Sequence, residues 1–449
     1  MKFCGSKLFI KAMIFSGNKT GKRGKKAVLF AFLVVFAFFA SLSPSLKESC
    51  CVAAQPAQQV REFHETYDLP QDGLVSINNT NGYIRVTSWN ENRVKVDAVK
   101  RARRNEDPGQ VEIQVTPRPG RPQRLEIRTI YPRSDSSVSV DYDLKVPRGA
   151  TLNAQSTNGE ITVNDPVASV TARTNNGEVT VRQVTGDATL LSDNGRVVAE
   201  RVGGALSVTS ANGNMMISEV ASTLNARCAN CNVTARGIRD DATVRSTNGS
   251  VELERVGGRA TADTPNGRIR INDVGGDVYA KSLSSSIIVT NARGFVEAIA
   301  TNGSAVVRGA GEGARATSVS GSVEISDSKG RIEADATNGS VTLNNIDAKD
   351  VVAKSNNSSV SFSGKFSEGG RYRFYSSNGN VVLTLPPESN FNLTIRSDNG
   401  AINTEFPVKL APGAVLGGRG PIIGAVGKGG AEVQAISNNG NVHLKKAPK

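Results

Sequence analysis

Histidine is almost missing from this chain: His64 and His443 are the only two in 449 residues. They lie outside the regular repeat described below and near opposite ends of it, which argues against Ser-His-Asp catalysis and against histidine metal sites. Cysteine is sparse too, with five in all, and only Cys228 and Cys231 fall beyond residue 51. A framework of several disulfides is therefore excluded. With 5% aromatic residues and one tryptophan, no basic stripe interleaved with rings can be drawn, so a nucleic-acid reader is not expected. The main apolar run, residues 27–42, has 16 residues and falls short of the ~20 that a spanning helix needs.

What stands at the N-terminus instead is an export signal. Eight Lys or Arg lie within the first 26 residues, the apolar run follows, and Val52-Ala53-Ala54 gives a small-x-small cleavage pattern, which predicts a signal over 1–54 cut after Ala54. An uncleaved membrane anchor is the rival reading. The whole chain carries +13, but +8 of that sits in residues 1–54, leaving +5 for the remainder. Such a mildly basic surface permits attraction to acidic polysaccharide or an anionic envelope without requiring it.

The dominant feature is a turn signature that returns at a fixed step of 18 residues: STNG (156–159), TNNG (174–177), SDNG (192–195), SANG (210–213), CANC (228–231), STNG (246–249), TPNG (264–267), SLSS (282–285), ATNG (300–303), SVSG (318–321) and ATNG (336–339). A period of this size marks an architecture in which each unit packs on its neighbours. Counting from the glycine, apolar residues fill positions +2 and +4 (Ile161/Val163, Val179/Val181, Val251/Leu253) and again +11 and +13 (Ala188/Leu190, Leu206/Val208, Ala242/Val244). Each pair is the period-two signature of a half-buried strand. A lone apolar residue at +7 and a glycine at +9 (Gly186, Gly204, Gly258, Gly276) mark a second corner. Hairpins would not repeat every 18 residues, so equivalent strands must stack in parallel. The predicted fold is an all-β, single-stranded parallel β-solenoid of two short strands per coil, with a narrow core and irregular wider coils capping both ends.

The organisation that follows is a signal at 1–54, irregular all-β opening coils at 55–150, regular coils at 151–343, and wider coils with a C-terminal cap at 344–449. Corner asparagines and glycines are expected to be structural: Asn158, Gly159, Asn176, Gly177, Asn194, Gly195, Asn212, Gly213, Asn248, Gly249, Asn266, Gly267, Asn302, Gly303, Asn338 and Gly339. Glycine and asparagine accept positive φ at little cost, and stacked asparagine amides can hydrogen-bond along the axis. A partial Thr/Ser rank at +12 (Thr171, Thr189, Ser207, Thr243, Thr261) faces outward. SNNG at 437–440, followed by Val442 and Leu444, reads as one last coil.

Three features could carry more than structure. Cys228 and Cys231 replace the first and last residues of one corner, and are open to a local disulfide, two buried thiols, or a redox or half-zinc pair. The aromatics gather near the C-terminus, including Phe362, Phe366, Tyr372, Phe374 and Tyr375. They fit either a widened core or a platform on which sugar rings stack. Acidic residues of the repeat (Glu160, Glu178, Glu200, Asp263, Asp273, Glu324, Asp335) do not recur at one column, so neither a calcium ladder nor a carboxylate pair is signalled. No catalytic residue, cofactor or metal site is assigned.

Tyr83-Ile84-Arg85-Val86-Thr87-Ser88-Trp89, the segment ending in Lys145-Val146-Pro147-Arg148-Gly149, and the repeated S/T-x-N-G-x-[IV]-x-[VL] resemble a bacterial adhesin-like family of unknown function. The resemblance spans about 60–445 and implies an exported β-solenoid, without catalytic residues to carry over. The expectation is a non-catalytic protein that binds or scaffolds at the cell envelope or surface through its outward sheet faces, with envelope polysaccharide or surface proteins as partners. A β-helix carbohydrate-active enzyme and a purely structural spacer are the alternatives.

Overall fold

The computed structural model describes residues 59–102, 106–133, 136–412 and 420–448. The export signal read at 1–54 lies outside the described residues. Within the described residues the chain forms a parallel β-solenoid.

From Thr151 onward the period sets the register directly. In what we call the first sheet, Val179 lies opposite Ile161 on one side and Val197 on the other, and the 18-residue offset continues through Val323 and Val341. In the second sheet Val170 sits between Leu152 and Ala188, with the same offset through Ser318 and Ala336. The +2, +4, +11 and +13 columns all point inward, and their Val, Leu, Ile and Ala side chains are buried. Each buried Val, Leu or Ile is worth roughly 1.5–3 kcal/mol over its exposed state, so these columns supply most of the stabilisation. The +7 column (Val184, Val202, Val220, Ile238, Val256, Val274) is buried as well and closes the narrow side of the core.

The two corners do different work from what their residue types suggest. None of the ladder asparagines has a positive φ, and among the glycines at their corners in the regular coils only Gly213 lies in the left-handed range. Glycine is needed there for close approach. A Cβ on Gly177 would run into the carbonyl of Gly159, one on Gly195 into Gly177, and one on Gly267 into Gly249. The left-handed residues sit instead at +6, just before the second corner, in successive coils: Arg201 (φ 53°), Glu219 (55°), Arg255 (55°), Asp273 (59°) and Asn291 (55°), with Gly237 (69°) in the same column.

Side chains tie the first corner from coil to coil in two ranks. Outside, Asn176 Nδ2 donates to Asn158 Oδ1 at 2.8 Å, Asn194 to Asn176 at 2.9 Å, Asn212 to Asn194 at 2.9 Å and Asn230 to Asn212 at 2.9 Å. Inside, three residues before several of the glycines, buried hydroxyls donate to the carbonyl of the previous corner: Thr174 to Gly159 at 2.9 Å, Ser192 to Gly177 at 2.9 Å and Thr264 to Gly249 at 3.0 Å. These bonds offset the cost of burying a polar column, although the Ser156 and Ser210 hydroxyls are buried without a partner.

Chain order and stacking order part company at both ends. The coil made by Leu74–Asn81 and Ile84–Trp89 lies between the later coil (Arg124–Ile130 and Ser139–Pro147) and the one that begins at Thr151. Beyond it the pairing turns antiparallel: Arg93–Ala102 with Ser139–Pro147, Gln59–Asp68 with Arg93–Ala102, and Glu112–Arg118 with Arg124–Ile130. At the other end, Ala431–Ser437 and Val442–Lys446 slot between the coil at 371–385 and the coil at 391–404. The final coil in sequence is thus internal in space. The outermost strand Gln59–Asp68 is mostly exposed and rich in charge, with Arg61, Glu62, His64, Glu65 and Asp68, which discourages edge-to-edge pairing.

Candidate binding face

The repeat consumes its own most regular residues. The corner asparagines, glycines and hydroxyls face one another, so chemistry directed at a partner must come from the outward positions of the two sheets.

On the first sheet, several outward arginines meet an acid, although Arg182, Arg268 and Arg270 make no ion pair. Arg196 pairs with Glu178 at 3.1 Å, Arg236 with Glu254 at 3.1 Å and Glu252 at 3.7 Å, and Arg308 with Glu324 at 3.1 Å. These pairs are exposed and each is worth little to stability. The C-terminal part of the second sheet behaves alike, with Asp350 between Arg331 and Arg373.

The second sheet between Thr151 and Ser246 differs. Its two outward columns read Asn153, Thr171, Thr189, Ser207, Asn225, Thr243 and Gln155, Arg173, Leu191, Thr209, Arg227, Arg245. Neither holds a carboxylate before Asp263. Arg173, Arg227 and Arg245 are exposed and make no ion pair. Arg227 lies directly opposite Arg245 on the adjacent parallel strand, about 4.8 Å away by strand spacing. Like charges opposed in this way are destabilising unless an anion sits between them. Beside them runs an open groove of about 510 Å³, with Thr209, Ala211, Ala229 and Thr247 along it and Asp193 and Asp263 at its margins. Hydroxyls, amides and three free guanidinium groups on a flat sheet can together hold a hydroxylated, oxyanion-bearing chain. The sequence held the signal: stepping back four from each corner glycine by 18 gives Arg173, Arg227 and Arg245 with no acid between, but only the neighbouring Thr/Ser rank stands out on inspection.

Cys228 and Cys231 are joined in a disulfide with a Cα–Cα distance of 6.0 Å. Both are buried, and the bridge stands where other corners use a hydroxyl and a glycine; Cys228 lies between Ser210 and Ser246 in register. With both sulfurs in that bond, no thiolate is available for zinc.

The stacking-platform reading of the C-terminal aromatics is corrected by their burial. Phe362, Tyr372 and Phe374 are at most 1% exposed, and Phe366 packs on them, 4.4 Å from Tyr372 and 5.2 Å from Phe362 between ring centroids. The physical reason is a wider core. Ala336 lies opposite Ser355 and Ser355 opposite Ser376, offsets of 19 and 21 residues, so longer coils enclose space that rings fill. The Tyr372 hydroxyl is spent on the Ala348 carbonyl, and it accepts from the Ser367 amide at 2.7 Å. Tyr375 alone points outward, and its hydroxyl donates to Gln434 at 2.7 Å. Phe366 also lines a cleft of about 410 Å³ with Lys365, Glu368, Glu388, Asn390 and Lys428, where acids and bases alternate.

Among the described residues no cluster of three or more His, Cys, Asp or Glu could hold a metal ion. His64 is engaged at the N-terminal edge, 2.7 Å from Asp97 and 3.3 Å from Glu62. Those contacts raise its pKa above 6.5, the Asp97 hydrogen bond foremost. The hydrogen bonds from Lys95 and His64 hold Asp97 below the usual carboxylate range, against the opposing effect of burial.

No curated protein matches the sequence. Among solved structures, a crystal structure of a putative cell adhesion protein from Clostridium sporogenes ATCC 15579 is 7% identical over 87% of this chain and 100% of that chain, with a TM-score of 0.19, a likeness too slight to argue from. The family model described as Toastrack DUF4097 matches twice, over 73–273 and 259–445, and so takes in the regular coils and most of both caps. The chain belongs to the Toastrack DUF4097 family.

Proposed function

We propose that this protein is an exported, non-catalytic binding or scaffold protein of the bacterial cell envelope or surface, adhesin-like, and that it engages acidic envelope polysaccharide through the second-sheet face between Thr151 and Ser246. One observation carries the reading: Arg173, Arg227 and Arg245 stand unpaired in a column that holds no carboxylate before Asp263, whereas Arg196, Arg236 and Arg308 on the first sheet each meet an acid. Export rests on the lysine-rich start and the apolar run at 27–42.

Attraction of this kind is steered by charge and screened over about 8 Å at physiological ionic strength. The test is co-sedimentation of the purified chain with isolated envelope and with an acidic polysaccharide across a salt series, assaying the same tubes for new sugar ends. Retention that falls with salt and yields no new ends supports the proposal. New ends would replace it with a β-helix carbohydrate-active enzyme, and no retention at any salt would leave a structural spacer.

A further inference from the structure

The asparagine rank is not continuous, and the breaks fall at two identifiable places. From Asn158 to Asn266 every amide nitrogen donates to the asparagine one coil earlier, ending with Asn266 to Asn248 at 2.8 Å. The next two alternate corners carry serine. Ser284 Oγ donates to Asn266 Oδ1 at 3.1 Å and Ser320 Oγ to Asn302 Oδ1 at 3.4 Å. A serine is too short to receive the amide of the coil that follows. Asn302 and Asn338 therefore keep their acceptor bonds, from Ser320 and from Asn357 at 2.7 Å, while their Nδ2 groups have no partner. The rank then resumes from Asn357 through Asn378 and Asn439 to Asn399.

A second, independent tie is missing at the same two corners. Where other coils place a buried Ser or Thr three residues before the glycine, these place Ala300 and Ala336. Neither corner can make the inward hydroxyl bond to the preceding coil that Ser192 makes to Gly177 at 2.9 Å. Nor can either hold its own glycine nitrogen as Ser376 holds that of Gly379 at 2.9 Å. What remains towards the preceding coil is backbone: Asn302 N to Leu283 O at 2.8 Å and Asn338 N to Val319 O at 2.9 Å. Both asparagines are exposed and each is followed by glycine.

We propose that Asn302 and Asn338 are the chemical modification sites of the solenoid, undergoing deamidation ahead of the other corner asparagines. The glycine that follows offers no Cβ to block approach of its backbone nitrogen to the asparagine side chain. The deprotonated nitrogen of Gly303 or Gly339 attacks Cγ; the new N–Cγ bond forms, the Cγ–Nδ2 bond breaks, and ammonia leaves with the nitrogen. Water then opens the five-membered imide at one carbonyl or the other, giving aspartate or isoaspartate. Water is the only co-reactant. Elsewhere the departing nitrogen is held by a hydrogen bond worth about 0.5–1.5 kcal/mol, which slows the step by about two- to thirteenfold for each bond that must break. Asn302 and Asn338 lack that restraint.

The experiment is peptide mapping by mass spectrometry after incubating the folded chain in mildly alkaline buffer. Asn302 and Asn338 should convert first, about two- to thirteenfold faster than Asn176, Asn212 and Asn266. Ser284→Asn, which restores a partner for Asn302, should slow that site and leave Asn338 unchanged. Asn248→Ser, which removes the partner of Asn266, should make Asn266 a new fast site, so the idea stays testable if the first variant folds poorly. Conversion of Asn212 or Asn266 at the rate of Asn302 would overturn the proposal, as would an unconverted Asn302 under conditions that deamidate the unfolded chain.

Discussion

Replacing Gly267 by alanine tests why glycine occupies the first corner. A Cβ there would overlap the carbonyl of Gly249 and lie 2.8 Å from Thr264 Oγ1. Normal contact begins near 3.5 Å, so the corner must lift off the coil beneath by more than an ångström. Two side-chain bonds hold it down: Thr264 Oγ1 to Gly249 O at 3.0 Å and Asn266 Nδ2 to Asn248 Oδ1 at 2.8 Å. Stretching both costs about 0.5–1.5 kcal/mol each, and overpacking against backbone adds about 1–3 kcal/mol, for a total of about 2–6 kcal/mol. Gly309→Ala is the control. At φ 75° it meets mainly left-handed strain, about 1–2 kcal/mol, with its nearest neighbour, Asn291 Oδ1, at 3.2 Å. Thermal and denaturant unfolding would rank the two, and amide exchange would locate the damage, since a repeat array need not unfold as one unit. Gly267→Ala should be the worse. If it costs less than Gly309→Ala, close approach is not what the corner glycine provides.

Three further outcomes are expected. Asn212→Ala removes the exposed bonds to Asn194 and from Asn230, both 2.9 Å, and should cost about 1–2 kcal/mol in thermal unfolding, because water replaces part of what is lost. His64 should titrate above 6.5 in NMR, and Asp97→Asn should bring it back down. Because folding raises its pKa, His64 supports the edge strand fully below 6.5 and loses that effect as pH climbs through the raised value, so the protection of Gln59–Asp68 amides relative to their intrinsic exchange rates should fall at higher pH. Removing residues 431–449 should release the coil at 391–404 as well, since Phe391–Ser397 pairs in parallel with Ala431–Ser437; limited proteolysis should then cut at 391–410, and intact 391–410 would contradict the inserted coil.

Much of this fold is legible because 18 is an exact step: the buried pair Val179 and Val181 predicts Val197 and Ala199 beneath them, and so on down the stack. The asparagine column is equally plain, but its companion glycine misleads. Asn-Gly suggests positive φ, and the real constraint is a carbonyl of another coil, which no local pattern contains. The left-handed column at +6 is hidden for the opposite reason, as Arg201, Glu219 and Asp273 share no propensity for it. Insertion of the last coil between two earlier ones is illegible because SNNG at 437–440 looks like any other corner. The same turn would suit any place in the stack. At the candidate face, the Thr/Ser rank shows in sequence, whereas the importance of Arg227 and Arg245 depends on knowing which arginines find carboxylates elsewhere.

The division between a structural corner and a binding face is open to one comparison: retention on isolated envelope, at low salt, of Arg227→Glu/Arg245→Glu beside Asn212→Ala. The arginine pair lies on the surface and the asparagine within the rank. The double variant should lose retention with its unfolding temperature nearly unchanged, and Asn212→Ala should keep retention while melting lower. Full retention by the double variant, or loss of retention by a folded Asn212→Ala, would contradict the division and move binding to the corner itself.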